Sequence, residues 1–173
     1  MVDESTLHYD KVVDGPPPIF MGPLPRSWSM VPAPVVVNMC GVFPYGPPPN
    51  HTVFCIALHD VQDPSSLPAR VEFEAFLDGI HARARAEGSY WHCHAGLNRS
   101  GLALAAYLHR FHDMRISEAI TLLRERRSPL VLCNSEFERA LRRWYGDADE
   151  QVFEPVDIDA WLGARTGGRE DWR

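Results

Sequence analysis

An α/β domain with a largely parallel sheet is the fold class this sequence predicts, and three observations predict it. The 173 residues are 45% apolar, enough for one domain with a sizeable core and too few for two. Residues 53–58 (VFCIAL) form a continuous apolar run, as expected of a strand buried on both faces of a sheet. A strand-helix-strand-helix alternation then crosses the centre of the chain, and such alternation favours parallel strands joined by helical crossovers.

The elements follow in order. Eleven of the fifteen prolines fall within the first fifty residues, including the triplets 16–18 and 47–49, which excludes long helices there. Short extended segments fit between them at 18–21 and at 35–39, the latter a β-branched run, and rigid loops joining edge strands are the expectation. After the apolar run, residues 59–66 read as a polar loop. Val71, Phe73, Phe76, Leu77, Ile80 and Ala84 then recur at near-helical spacing, and Gly88 ends that helix. Residues 89–93 make a short strand, 102–114 an apolar helix, and 117–127 an amphipathic helix with Ser117 placed to cap it. Ser135 and Glu138 have capping-box spacing and open a last helix that ends near Gly146. A compact unit over 1–146 and an acidic tail over 147–173 are expected, the tail holding at most one short helix around 158–164 with Trp161 as an anchor.

The net charge of −6 is unevenly placed. The last 27 residues carry eight acids against three arginines, which leaves the body near neutral. That lacks the basic excess non-specific nucleic-acid binding requires. The clusters Arg124, Arg126, Arg127 and Arg139, Arg142, Arg143 read as solvated helix faces. No run approaches eighteen consecutive apolar residues, so no membrane span is expected. The acidic opening Met1-Val2-Asp3-Glu4 does not resemble a secretory signal, and a soluble, cytoplasmic protein is the expectation. Cysteines at 40, 55, 93 and 133 show no Cys-x-x-Cys pair, which argues against a disulfide framework. Cys40, Cys55 and Cys133 read as small core residues. His51 and His59 read as surface or loop histidines.

Cys93 has a different setting. His92-Cys93-His94-Ala95-Gly96-Leu97-Asn98-Arg99-Ser100-Gly101 joins a buried strand to a helix. The residues between Cys93 and Arg99 can curl so that successive N–H groups point inward as an anion nest, with the positive end of the following helix behind them. His94, Ala95, Gly96, Leu97, Asn98 and Arg99 would contribute that backbone. Gly96 supplies the conformational freedom a tight cradle needs. Arg99 can clamp two phosphate oxygens with its planar fork. The same field should depress the Cys93 pKa and make the thiolate a nucleophile aimed at phosphorus, giving a phosphocysteine that water hydrolyses. Ser100 can donate to the sulfur as it leaves, and His92 orders the loop by hydrogen bonds. An alkoxide or phenoxide leaving group needs a proton. Asp60 and Asp63 lie on the loop after the apolar run, and Asp60, nearer the strand end, is favoured over Asp63 as the donor. A metal site at His92, Cys93 and His94 is disfavoured because adjacent residues project in different directions.

The pattern His-Cys-x-x-Gly-x-x-Arg-Ser-Gly resembles the signature of the cysteine-dependent protein tyrosine phosphatase superfamily, and the short chain resembles its dual-specificity branch. Ala119-Ile120 through Arg127, then Pro129, Asn134, Phe137 and Leu141, is similar to the helical C-terminal half of such domains, and Asp60 falls where they carry a general acid. The resemblance implies a single α/β domain with a five-stranded, mostly parallel sheet flanked by helices. It implies hydrolysis of phosphotyrosine, and of phosphoserine or phosphothreonine, in a phosphorylated protein substrate, with no metal and no cofactor. Asn98-Arg99 is similar to the loop of RNA 5′-triphosphatases of the same superfamily, where Ser100 replaces Thr. That enzyme is one alternative, and the only reading under which nucleic acid is a partner. The other is a phosphoprotein-binding module without chemistry.

Overall fold

Four strands of one sheet finish side by side, and that alignment places the site. The computed structural model describes residues 9–42, 46 and 50–146. In it β1 (Asp10–Val13), β2 (Ile19–Gly22), β3 (Val35–Asn38), β4 (Thr52–Cys55) and β5 (Ser89–His92) form one sheet in the order β1-β2-β5-β3-β4. β1 runs antiparallel to β2, and every other neighbouring pair is parallel. The register sets Gly22, His92, Asn38 and Cys55 in one row, so four carboxyl ends open onto the same edge. In open parallel sheets that edge is where ligands bind. The α/β class with a five-stranded, mostly parallel sheet is borne out.

Helix α1 (Arg70–Glu87) carries the chain from the β4 edge back to β5 in the middle. It buries Phe73, Leu77, Ile80 and Ala84, while Val71 is 73% exposed. Helix α2 (Arg99–Phe111) is buried at every position from Ser100 to Leu108, as expected of a helix apolar on all sides. Helices α3 (Ile116–Arg126) and α4 (Ser135–Tyr145) close the domain, and Gly146 ends α4 in the left-handed conformation. All four helices contribute to the principal core on the sheet face of Met21, Val35, Val37 and Trp91. A smaller cluster around Val36, Tyr90 and Ala33, with Trp28 and Val31, covers the other face. No helix among the described residues is long and apolar enough to cross a membrane. The acidic tail at 147–173, with Trp161, lies outside the described residues.

Several local expectations are corrected. The strand expected at 53–58 is Thr52–Cys55, and it is an edge strand with Cys55 exposed. The segment taken for an edge, Val35–Asn38, lies between β5 and β4 and is buried at all four positions. Three adjacent valines suit an interior strand because each finds a packing surface on either face. An apolar run alone cannot say how many neighbours a strand has. Residues 56–58 leave the strand but stay anchored, with Ile56 N–H donating to Asn38 O and Leu58 N–H to Met39 O.

Helix α3 begins one residue before the expected cap. Ile116 is buried and pulls the helix start forward, and Arg115 caps it with its backbone N–H donating to Glu118 Oε2. The cap of α4 is Asn134, whose Oδ1 accepts from Glu136 N–H. Glu138, the acid of the expected capping box, is fully buried between Arg124 (2.7 Å) and Arg142 (2.7 Å). Arg124 and Arg142 are therefore not solvated helix-face residues, and neither is Arg127, whose side chain is 13% exposed.

Candidate active site

From His92 the chain turns through 93–98 and enters α2 at Arg99. Four carbonyls of that turn are accounted for on its outer side. His94 O accepts from Leu24 N–H (3.0 Å) and Leu97 O from Leu132 N–H (3.4 Å). Ala95 O and Gly96 O accept from Nη2 and Nε of Arg127, each at 3.3 Å. In a trans peptide the N–H lies opposite the preceding carbonyl. The N–H groups of Ala95, Gly96, Leu97 and Asn98 are therefore turned away from these partners, toward the hollow of the loop. That is the geometry of an anion nest.

Gly96 is required on two counts. Its φ of +69° is left-handed, and a Cβ there would sit 2.2 Å from Gly22 O at the end of β2. Behind the loop, residues 130–133 wedge against the first turn of α2. A Cβ on Gly101 would lie 2.9 Å from Val131 Cγ1, and Leu132 itself holds a φ of +61°. A non-glycine residue held in that region marks strain that the surrounding packing maintains.

Cys93 is 1% exposed at the base of the hollow. Its Sγ lies 3.4 Å from Ser100 Oγ. Burial pushes the thiol pKa up, yet the net shift from 9.0 is downward. The Ser100 hydroxyl, the N–H groups of Ser100 and Leu97, and the Arg99 charge together outweigh burial. Arg99 donates through Nη1 to Leu58 O at 3.4 Å, and its Nε is buried with no hydrogen-bond partner among the described residues. His92 is fully buried and stacks on Tyr90 at 5.6 Å. Its Nδ1 meets Cys93 O at 3.4 Å, and a carbonyl can only accept, so the proton is on Nδ1. Burial lowers its pKa to about 4, and the ring is neutral at physiological pH. His94, by contrast, is exposed.

The two candidate acids have separate surroundings. Asp63 Oδ1 accepts from Ser65 N–H at 2.9 Å and caps the 3₁₀ turn at Pro64–Ser66, and that N–H holds its pKa below the ordinary value. Asp60 instead reaches the loop. Its Oδ2 accepts from Asn98 Nδ2 (3.1 Å) and its Oδ1 from Asn134 Nδ2 (2.9 Å).

Sequence reasoning missed three contributors: the Asn98 side chain, Asn134 and Arg127. Asn134 was visible only as a position in the C-terminal resemblance, with no role attached, and Arg127 was read besides as part of a solvated helix face. The remaining cysteines also differ from expectation. Cys55 is exposed, while Cys40 and Cys133 are half-buried and donate to carboxamide oxygens, Cys40 to Asn38 Oδ1 (3.3 Å) and Cys133 to Asn98 Oδ1 (3.4 Å). Burial raises the thiol pKa of both Cys40 and Cys55.

Known proteins resemble this chain at both levels. Mouse dual specificity protein phosphatase 14 is 36% identical over 87 residues, covering 50% of this chain and 41% of that protein. The human counterpart is 35% identical over the same length. The match thus spans about two fifths of the length of these relatives. The crystal structure of human DUSP28 superposes with a TM-score of 0.64 at 17% identity, covering 82% of this chain and 95% of that one. Tk-PTP in its active form gives 0.66 at 21%, covering 79% and 95%. At such identities these two likenesses speak for the fold. Residues 36–147 match the family described as "Dual specificity phosphatase, catalytic domain". Because that match runs from β3 past the end of α4, through both the Asp60 loop and the Cys93 loop, the chain belongs to the family of dual specificity phosphatase catalytic domains.

Proposed function

We propose that this protein hydrolyses phosphomonoesters of phosphotyrosine, and of phosphoserine or phosphothreonine, in protein substrates. One observation carries the reading. A buried thiol with a lowered pKa lies beneath a ring of inward N–H groups, beside an arginine whose Nε has no partner among the described residues. A buried cation donor left unsatisfied beside a hollow suits an anionic ligand that completes its hydrogen bonds.

In this mechanism the N–H groups of 94–99 and the Arg99 fork hold the phosphoryl oxygens. The Cys93 thiolate attacks phosphorus, and the ester P–O bond breaks as the S–P bond forms. Asp60 gives its proton to the departing oxygen. Asp60, now a carboxylate, takes a proton from the water that attacks the phosphocysteine, and inorganic phosphate leaves as Cys93 returns to thiolate. Ser100, at 3.4 Å, donates to the departing sulfur. His92 holds the Cys93 carbonyl. Residues 1–146 are the catalytic unit in this proposal and 147–173 an acidic appendage. A cytoplasmic setting accords with four cysteines that are all free thiols.

The test is hydrolysis of an activated aryl phosphate without added metal, comparing the intact protein with Cys93→Ser. Turnover by the first and none by the second, with vanadate binding retained, supports the reading. Turnover by Cys93→Ser overturns the mechanism. Binding without turnover by the intact reduced protein, on aryl phosphate and RNA 5′-triphosphate alike, would make it a binding module.

A further inference from the structure

The Asn98 side chain performs work that its place in the loop backbone does not require. Its Oδ1 accepts from Asn134 N–H at 3.0 Å and from the Cys133 thiol at 3.4 Å. A backbone N–H can only donate, so the oxygen must face 133–134 and the amide nitrogen must face the other way. On that other side is Asp60 Oδ2 at 3.1 Å. Asn134 is oriented by the same logic. Its Oδ1 accepts from Glu136 N–H, which turns its Nδ2 toward Asp60 Oδ1 and Val61 O. Each oxygen of Asp60 therefore receives one amide N–H of fixed direction. Asp60 is exposed and lies on a loop without regular structure. The Asn134 contacts, and that between Ser135 Oγ and Gln62 Oε1 at 3.1 Å, tie this loop to the start of α4. The Asn98 bond alone, among the described residues, ties the Asp60 carboxylate to the loop that carries Cys93.

We infer that Asn98 is a positioning residue that locks the proton donor to the phosphate-binding loop. This rests on the assignment of Asp60 as general acid. Each carboxyl oxygen has room for more than one partner. With an amide N–H on one side, the remaining position carries the proton, which passes to the leaving oxygen in the first step and is recovered from water in the second. The amide from the phosphate loop fixes the direction of that position relative to phosphorus. Proton transfer in a transition state depends steeply on such placement.

The test follows kcat across aryl phosphates from activated to poor leaving groups, at constant pH, for the intact protein, Asn98→Ala, Asn98→Asp, Asp60→Asn and the double variant Asn98→Ala with Asp60→Asn. Asn98→Asp keeps the size of the side chain and an acceptor for Asn134 N–H while removing the donor to Asp60, so it retains the fold if alanine does not. Both Asn98 variants should slow poor leaving groups about 30-fold more than activated ones, a part of the full effect of a general acid. The double variant should be no slower than Asp60→Asn, because Asn98 acts through Asp60. A uniform loss on every substrate, or multiplicative losses in the double variant, would overturn the inference while leaving the site intact. If Asp60→Asn itself shows no leaving-group dependence, the acid assignment fails and the inference falls with it.

Discussion

Arg127, at the end of α3, holds Asp10 of β1 at 2.7 Å with one nitrogen of its guanidinium and the carbonyls of Ala95 and Gly96 with the other two. The first strand of the sheet is thereby linked, through one half-buried side chain, to the loop over Cys93. Removing it would leave two loop carbonyls and a carboxylate without their donor. Arg127→Ala should lower stability by about 1–3 kcal/mol and weaken vanadate binding about tenfold. Arg127→Lys should not restore binding, because an ammonium lacks the rigid three-way fork. Thermal melting and vanadate titration check both points. Unchanged vanadate affinity in Arg127→Ala would show that the loop orders itself.

Cys93 should be alkylated as a thiolate below the range of an ordinary cysteine. Inactivation by iodoacetamide should rise with pH through a midpoint below 9.0, and Ser100→Ala should move that midpoint upward by removing a donor to the sulfur. The same variant should accumulate phosphocysteine and show a burst of the first product, since the sulfur loses assistance when it leaves. A midpoint unmoved by Ser100→Ala would assign the effect to the backbone and Arg99 alone.

His92 makes stability depend on pH. Its folded pKa of about 4 lies below the ordinary 6.5, so the unfolded chain binds the proton first as pH falls. The stability it contributes is complete above pH 6.5, drains away between 6.5 and about 4, and changes no further below that. The loss is about 3 kcal/mol over that window. Urea unfolding at several pH values should show it, and His92→Gln should flatten that segment of the curve.

The two aspartates near the site should separate cleanly. Asp60→Asn should slow poor leaving groups about 100-fold more than activated aryl phosphates. Asp63→Asn should not change that ratio, because its carboxylate is engaged with Ser65 N–H at the turn. The reverse pattern, read from kcat against leaving-group pKa, would move the proton donor to Asp63.

What could be read from the sequence alone was whatever depends on neighbours a few residues away. The cradle between Cys93 and Arg99, the glycine inside it, the α/β alternation and the end of α4 at Gly146 all arise from local backbone preferences and short-range periodicity. The placement of β3 in the interior and β4 at the edge does not, because an apolar run records burial and not the number of strands beside it. Nor do the ties that make the site one unit. Asn98 meets Asp60 across 38 positions, Asn134 meets Asp60 across 74, and Arg127 meets Asp10 across 117. Those bonds exist because the parallel register brings four strand ends into one row and the C-terminal helices pack behind it. Position along the chain favoured Asp60 over Asp63, but the amides that hold Asp60 and the arginine that braces the loop are set only by the folded chain.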